Sequence, residues 1–243
     1  MPAGFSTGCL YKNHDPLSPE AIDLVAQSGA RLIELSAVML ERLPDLARIE
    51  PRQLAGFEYV GLHAPANLRY RNDAAAHEAL RVLSEACERL PVRHVVFHPD
   101  TIEAWEVVEA AGLPAAFENM DRFKSFGRTM EDMEKILGAG KNRKMILDVA
   151  HAHTNDPSMR LARELLERFR DRIAAIHLSG CRSQKGGREH HVPLSLTLQE
   201  ELFLPLPAGV PVVIESVWPK TDSREELLNC LKKELRYVEE RLQ

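Results

Sequence analysis

The chain has 243 residues, 44% of them hydrophobic and 28% charged, and its 31 lysines and arginines against 36 acidic residues leave a formal charge of -5. A length of this order supports one hydrophobic core without a second domain. An acidic balance with no basic tract argues against nucleic acid as the main substrate, and no apolar stretch approaches the roughly 18 residues that cross a bilayer.

The N-terminus, Met1-Pro2-Ala3-Gly4-Phe5-Ser6-Thr7, lacks the basic start and apolar run of a secretory signal, so cytoplasmic residence is expected. From there strand-like and helix-like segments alternate to the end with short connections, the signature of an α/β domain with a parallel sheet. Strands are expected near 3–9, 31–36, 58–63, 93–98, 114–119, 144–149, 173–178 and 210–215. Helices are expected near 19–28, 38–48, 73–90, 101–111, 129–138, 158–170, 196–203 and 222–241. Ser18-Pro19 offers an N-cap followed by proline at the first helical position, and Gly29 can close that helix in a left-handed conformation. Asp100-Thr101, Pro157-Ser158 and Asp222-Ser223 read as similar starts. Leu80, Leu83, Ala86, Cys87 and Leu90 fall at spacings of three and four, a helical stripe facing a core. Ser179 to Pro193, with Gly180, Gly186 and Gly187, reads as a long functional loop after the seventh strand. Eight such units in a chain near the ~250 residues typical of the fold point to a single (β/α)8 TIM barrel, an α/β domain over 1–243.

The apolar runs end in metal-ligand residue types: Tyr59-Val60-Gly61-Leu62-His63, His94-Val95-Val96-Phe97-His98, Ala115-Ala116-Phe117-Glu118, Met145-Ile146-Leu147-Asp148, Ala174-Ala175-Ile176-His177 and Val212-Val213-Ile214-Glu215. A polar group at a buried strand end needs a partner. In a barrel all these ends share the catalytic face, where a common metal site would supply that partner. Of the ten histidines, His63, His98, His151, His177 and His191 sit at or just beyond strand ends. One such histidine would more often be a hydrogen-bonded core residue, but five on one face, mixed with carboxylates, suit zinc, manganese or iron in a catalytic site. The competing reading for Glu118 and Glu215 is a salt bridge to Arg182 or Arg188. Cys9, Cys87, Cys181 and Cys230 form no Cys-x-x-Cys pair and read as reduced packing residues.

Over nearly its whole length the chain resembles the xylose isomerase-like barrels, which include endonuclease IV and the sugar isomerases and epimerases. The resemblance rests on Leu62-His63-Ala64-Pro65, Phe97-His98-Pro99, Glu118-Asn119-Met120, Asp148-Val149-Ala150-His151, His177-Leu178, Glu189-His190-His191-Val192-Pro193-Leu194 and the final Glu215. Similarity to endonuclease IV implies a cluster of two or three divalent ions, zinc first and manganese or iron next, held by His63, His98, Glu118, Asp148, His151, His177, Glu189, His191 and Glu215, with glutamate at 189 where that family has aspartate. Similarity to the epimerases implies a single ion on Glu118, Asp148, His177 and Glu215, with Glu118 and Glu215 exchanging a proton beside a carbonyl. Glu34 resembles the strand-two glutamate of the isomerase-like members, and a salt bridge or solvent exposure is an equal expectation for it.

Nine filled ligand positions favour a metal-dependent hydrolase of phosphate esters, with Glu118 and Glu215 as its catalytic carboxylates. The alternatives are a sugar or sugar-phosphate isomerase or epimerase and a non-catalytic metal- or partner-binding barrel, since one fold supports many reactions. Repair enzymes resembling endonuclease IV carry an aromatic wedge three residues beyond the first histidine, where this chain has Ala66, so a small phosphorylated or sugar-like substrate is expected ahead of DNA. Arg69, Arg71, Arg182, Lys185 and Arg188 are the candidates to hold its anionic group.

Overall fold

The computed structural model describes residues 2–140, 142–183 and 189–242, and the side chains of Ser183, Glu189 and His190 fall outside that description. Its staves are β1 (Ala3–Ser6), β2 (Leu32–Ser36), β3 (Tyr59–His63), β4 (Val92–Phe97), β5 (Ala115–Glu118), β6 (Lys144–Asp148) and β7 (Ile173–Leu178). An antiparallel hairpin, β8 (Gly180–Ser183) and β9 (Glu189–Val192), then stands apart, and β10 (Val212–Ile214) pairs with both β7 and β1 to close an eight-stranded parallel barrel. Around it lie α1 (Pro19–Gln27), α2 (Pro51–Leu54), α3 (Ala74–Arg89), α4 (Trp105–Ala110), α5 (Met130–Gly138), α6 (Val149–Asn155), α7 (Arg160–Arg168), α8 (Leu194–Thr197) and α9 (Arg224–Arg241).

Alternation along each strand divides the apolar residues between two cores. Leu32, Val96, Ala116, Ile146, Ala175 and Val213 form a small cluster inside the barrel. Their neighbours Ile33, Val95, Phe97, Phe117, Met145, Leu147, Ile176 and Ile214 belong to the larger cluster under the helices. The period of two has a direct consequence for chemistry. Two residues beyond the six interior positions stand Glu34, His98, Glu118, Asp148, His177 and Glu215, which therefore project to the same side of the wall.

The helix boundaries follow local chemistry. Ser18 Oγ accepts the Ala21 N–H at 3.2 Å and Gly29 takes φ +90° behind α1, while Ser223 Oγ accepts the Glu226 N–H at 3.1 Å at the start of α9. Leu80, Leu83 and Ala86 of α3 are buried, each leucine removing apolar surface worth about 1.5–3 kcal/mol.

Five expectations are corrected. Residues 40–48 are a 3-10 helix rather than an α-helix, because Pro44 within them donates no N–H. The helix expected from 101 begins at Trp105, because Tyr70 captures the preceding backbone: its N–H reaches the Thr101 carbonyl at 2.9 Å and its carbonyl accepts from Glu103 and Ala104. The expected stretch 158–170 is shorter, with Met159 rather than Ser158 at its head, and an unexpected helix, α6, precedes it. Finally, the glycine-bearing loop after β7 contains the β8/β9 hairpin, and the helix expected over 196–203 is split into α8 and a 3-10 turn over Glu200–Leu202.

Candidate metal centre

Parallel strands deliver their C-terminal ends to one rim, so donors far apart in sequence converge there. Three groups of side chains place one potential ligand atom each within 4.8 Å of the others: His63, His98 and Glu118; Asp148, His151 and His191; and Glu118, Asp148, His177 and Glu215. Eight of the nine residues expected as ligands are thus brought together, and the side chain of the ninth, Glu189, lies outside the described residues.

Glu118 joins two of the groups. Its Oε2 lies 3.0 Å from His98 Nε2 and 3.7 Å from His63 Nε2, while its Oε1 lies 3.1 Å from His177 Nδ1. Asp148 joins the second group to the same four-residue group. As the N-cap of α6 it accepts the His151 N–H through Oδ1 at 2.6 Å, which leaves Oδ2 buried with no hydrogen-bond partner. A buried carboxylate oxygen without a donor is costly, and a divalent cation on this oxygen and its neighbours would remove that cost. The donor set, carboxylates and imidazoles without thiolate, suits zinc or manganese.

Several imidazoles are oriented from behind, as metal-binding histidines usually are. His63 Nδ1 is 2.8 Å from the Ala64 carbonyl and His151 Nδ1 is 3.0 Å from the Asn119 carbonyl, so each ring donates its Nδ1–H there and Nε2 is the atom a cation would take in place of a proton. His191 Nδ1 contacts Ser179 Oγ at 2.7 Å. Asn119 also extends the sheet beyond Glu118: its amide donates to the Asp148 carbonyl and accepts the Asp148 N–H, each at 2.8 Å. The Glu-Asn pair at the end of β5 therefore fixes the neighbouring strand tip as well as its own.

Burial and charge pull against each other throughout. Burial opposes the protonated form of His177, but the surrounding charges of Glu215, Glu34 and Glu118 raise it well above the ordinary imidazole range. His151 rises to about 9 in the same way, burial being outweighed by Asp148, Glu118 and Asp121. The Glu118 carboxyl, despite burial, is held well below the usual carboxylate range by His177, His63 and His98. For Asp148 burial prevails over His151 and His191 and pushes the carboxyl up to about 6. Without cations, protons on histidine offset the charge of the carboxylates.

A cavity of about 760 Å³ opens onto this cluster. It touches His63, His98, Glu118, His151, His191 and Glu215 at its floor, and its walls come from the segments after β1 and β2, including Tyr11, Lys12, Asn13, His14, Met39 and Arg42. The arginines expected to hold substrate are elsewhere. Arg69 bonds the Asp100 carbonyl, Arg71 forms a two-pronged pair with Glu103 at 2.6 and 3.0 Å, Arg182 is exposed on β8, and none of the three lines the cavity. Lys185 and Arg188 lie outside the described residues. Sequence reading missed Lys12 and Arg42 because nothing local marks a residue beyond a strand end as facing the barrel mouth. Among the described residues Glu118 and Glu215 meet histidines, Glu215 Oε2 standing 3.3 Å from His177 Nδ1, while Arg188, one of the two arginines expected as a competing partner, lies outside them.

A closed parallel barrel with histidines and carboxylates massed at the C-terminal rim defines a TIM barrel with a candidate metal centre. Over residues 22–196 the chain matches the xylose isomerase-like TIM barrel family, and it belongs to that family. No curated protein sequence matches it. Among solved structures it is similar to D-psicose 3-epimerase from Clostridium cellulolyticum, with TM-score 0.69, 14% identity and all of both chains covered. It is similar also to endonuclease IV from Thermus thermophilus, with TM-score 0.66, 17% identity and coverage of 98% of this chain and 100% of the other. The probable 3-DHS dehydratase AsbF from Bacillus anthracis aligns at TM-score 0.64 and 10% identity over 98% and 99% of the two chains. At such identities the likeness is one of fold.

Proposed function

We propose that this chain is a divalent-metal-dependent hydrolase of phosphate esters with a multinuclear centre, acting on a small phosphorylated or sugar-like substrate. The observation that carries this reading is the division of Glu118, whose two oxygens face different donor groups, His98 at 3.0 Å and His177 at 3.1 Å, so that it would contribute a ligand to each. Divalent ions held there would supply Lewis-acid stabilisation of phosphate oxygens and a water of lowered pKa. His63, His98, His151, His177, His191, Glu118, Asp148 and Glu215 would hold them, together with Glu189.

The chain's own residues divide the remaining work. Glu215 is 18% exposed and lines the cavity, so it can orient the attacking water and take its proton. Glu118 is only 2% exposed and both its oxygens are engaged by histidine, which suits a ligand better than a proton carrier. The epimerase is the second reading, since Glu118, Asp148, His177 and Glu215 alone would complete a one-ion site and both glutamates line the cavity. Lys12, 5.7 Å from the Tyr11 ring, lines the cavity where an anionic group would sit and Tyr11 where a sugar face would, while Arg42 on the same wall is already paired with Asp15. A walled cavity that reaches the donors also favours an enzyme over a binding module.

Protein reconstituted with zinc or manganese is incubated with a panel of phosphate esters and, separately, with ketoses in deuterated water. The expected result is phosphate release that depends on the added ion. Deuterium entering beside a ketose carbonyl, with no ester cleaved, would replace the hydrolase by the epimerase. Ion-dependent cleavage of duplex DNA at an abasic site, with tight binding at physiological salt, would restore DNA as the substrate.

A further inference from the structure

Beneath the donor cluster the barrel interior carries a second polar layer that the hydrolase reading does not use. Glu34 on β2 is completely buried, and its Oε2 lies 3.1 Å from His177 Nε2 and 3.1 Å from His94 Nε2. His94, also buried, meets the Tyr59 hydroxyl through Nδ1 at 2.9 Å. A carboxylate only accepts hydrogen bonds, so both Nε2 atoms carry protons toward Glu34. In His94 the lone pair is then on Nδ1 and the Tyr59 hydroxyl donates to it. His177 Nδ1 is aimed at Glu118 Oε1 and Glu215 Oε2 at 3.1 and 3.3 Å, so without a cation it is protonated too, and its proton is the one a cation among these carboxylates would displace.

This layer has been given room. A Cβ on Gly61 would sit 2.8 Å from His94 Nε2 and 3.1 Å from Glu34 Cγ, so β3 has no side chain where the two residues meet. Packing alone does not call for it. Leu32, Val96, Ala116, Ile146, Ala175 and Val213 fill the interior with hydrocarbon, and a buried carboxylate is commonly no more stabilising than an apolar residue of similar volume. The other oxygen, Glu34 Oε1, is buried with no hydrogen-bond partner, a cost that a purely structural network would avoid.

We propose that Glu34 is the positioning residue of His177, held in turn by His94 and Tyr59, and that it fixes the ring with Nε2–H turned down the barrel and Nδ1 presented to a divalent cation. The proposal rests on the metal-centre reading. A carboxylate behind a ligating imidazole sets its tautomer and raises its basicity, and losing such a partner typically lowers metal affinity roughly 10- to 100-fold.

The test uses zinc titrated against a chromophoric chelator, with circular dichroism and melting as fold controls. Glu34→Gln keeps the shape and removes the charge, whereas Gly61→Ala keeps the charge and displaces the His94 ring, so the pair remains informative if one fails to fold. Both are expected to weaken the ion held by His177 by roughly 10- to 100-fold, with Tyr59→Phe doing so to a smaller degree. In cadmium-loaded, nitrogen-15-labelled wild type, cadmium coupling is expected on His177 Nδ1 and the proton on Nε2. Wild-type affinity in both Glu34→Gln and Gly61→Ala, or coupling on Nε2, would overturn the proposal while leaving the metal centre standing. Wild-type protein that takes up no zinc would remove the metal-centre reading itself, and that result is read before any variant is made.

Discussion

Asp148 holds His151 at two levels: its Oδ1 accepts the His151 backbone N–H at 2.6 Å, and its Oδ2 stands 3.7 Å from the same residue's ring Nδ1. One oxygen caps α6 while the other is buried with no hydrogen-bond partner. Asparagine caps helices about as well as aspartate, and it would relieve the burial of an unpaired carboxylate oxygen. Asp148→Asn should therefore melt at or above the wild-type temperature without metal, yet lose most of the stabilisation that zinc confers. Asp148→Ala should lose the cap too, at about 1–2 kcal/mol. Melting curves of the three proteins with and without zinc separate the two roles, and equal zinc-induced gains in all three would refute the assignment.

The pH dependence should run in opposite directions for metal affinity and for metal-free stability. Burial opposes the imidazolium of His151, but Asp148, Glu118 and Asp121 raise it to about 9, and His177 is likewise held high. A cation must displace these protons, so zinc affinity should rise with pH until about 9 and then level off. A raised folded-state pKa gives stability that is fully present below the ordinary value of 6.5 and lost as pH climbs through about 9. The metal-free unfolding free energy should fall across that window, by an amount on the order of 3 kcal/mol for His151, and the melting temperature with it. Chelator competition and calorimetry at several pH values check both trends. A flat affinity profile would contradict the proton inventory.

Stoichiometry tests whether the His63 and His98 group is a site of its own. His98 Nε2 is 3.0 Å from Glu118 Oε2, the oxygen that does not face His177. His63→Ala and His98→Ala should each remove about one equivalent of bound metal while the four-donor group keeps its ion, and both should impair ester turnover. One equivalent in wild type, unchanged in both variants, would reduce the centre to a single ion.

A purely structural prediction concerns Glu234 on α9. Completely buried, it accepts the Leu194 N–H at 2.7 Å, the Ser195 N–H at 3.0 Å and the Ser216 hydroxyl at 2.8 Å. It thus ties down the segment just beyond His191 and the residue after Glu215. Glu234→Ala should cost about 3–5 kcal/mol, because three donors lose a buried acceptor, which for a chain of this size is a fall in melting temperature on the order of 10 °C. Glu234→Gln, with one oxygen still accepting, should fall between. A melting temperature for the alanine variant within a degree or two of wild type would refute this account.

The barrel and the donors at its rim were legible because both depend on short-range pattern. Val95-Val96-Phe97-His98 reads as a strand from its apolar run, and the residue after such a run in a parallel barrel has one place to go. Helix α6 was not legible while Asp148 was read only as a ligand, since the same carboxylate also caps the helix. The hairpin of β8 and β9 was hidden by glycines that read as loop. The arginines were chosen by charge near the motifs, whereas the cavity wall is built by the segments after β1 and β2, whose facing is a matter of barrel closure.

Glu34 marks the division most clearly. Sequence alone determined that it lies on the second strand, two residues beyond Leu32 and so on the same face, because alternation is a property of the extended backbone. It did not determine whether that face meets water, an arginine or a histidine. Tertiary structure decided this by closing the barrel, which brings Glu34 within 3.1 Å of His94 and of His177, residues 60 and 143 positions away. The same closure turned the two oxygens of Glu118 to different histidines. Residue types and strand periodicity are encoded locally, but which lone pair faces which ring is fixed only when strands distant in sequence share one wall, and the chemistry of this site depends on that pairing.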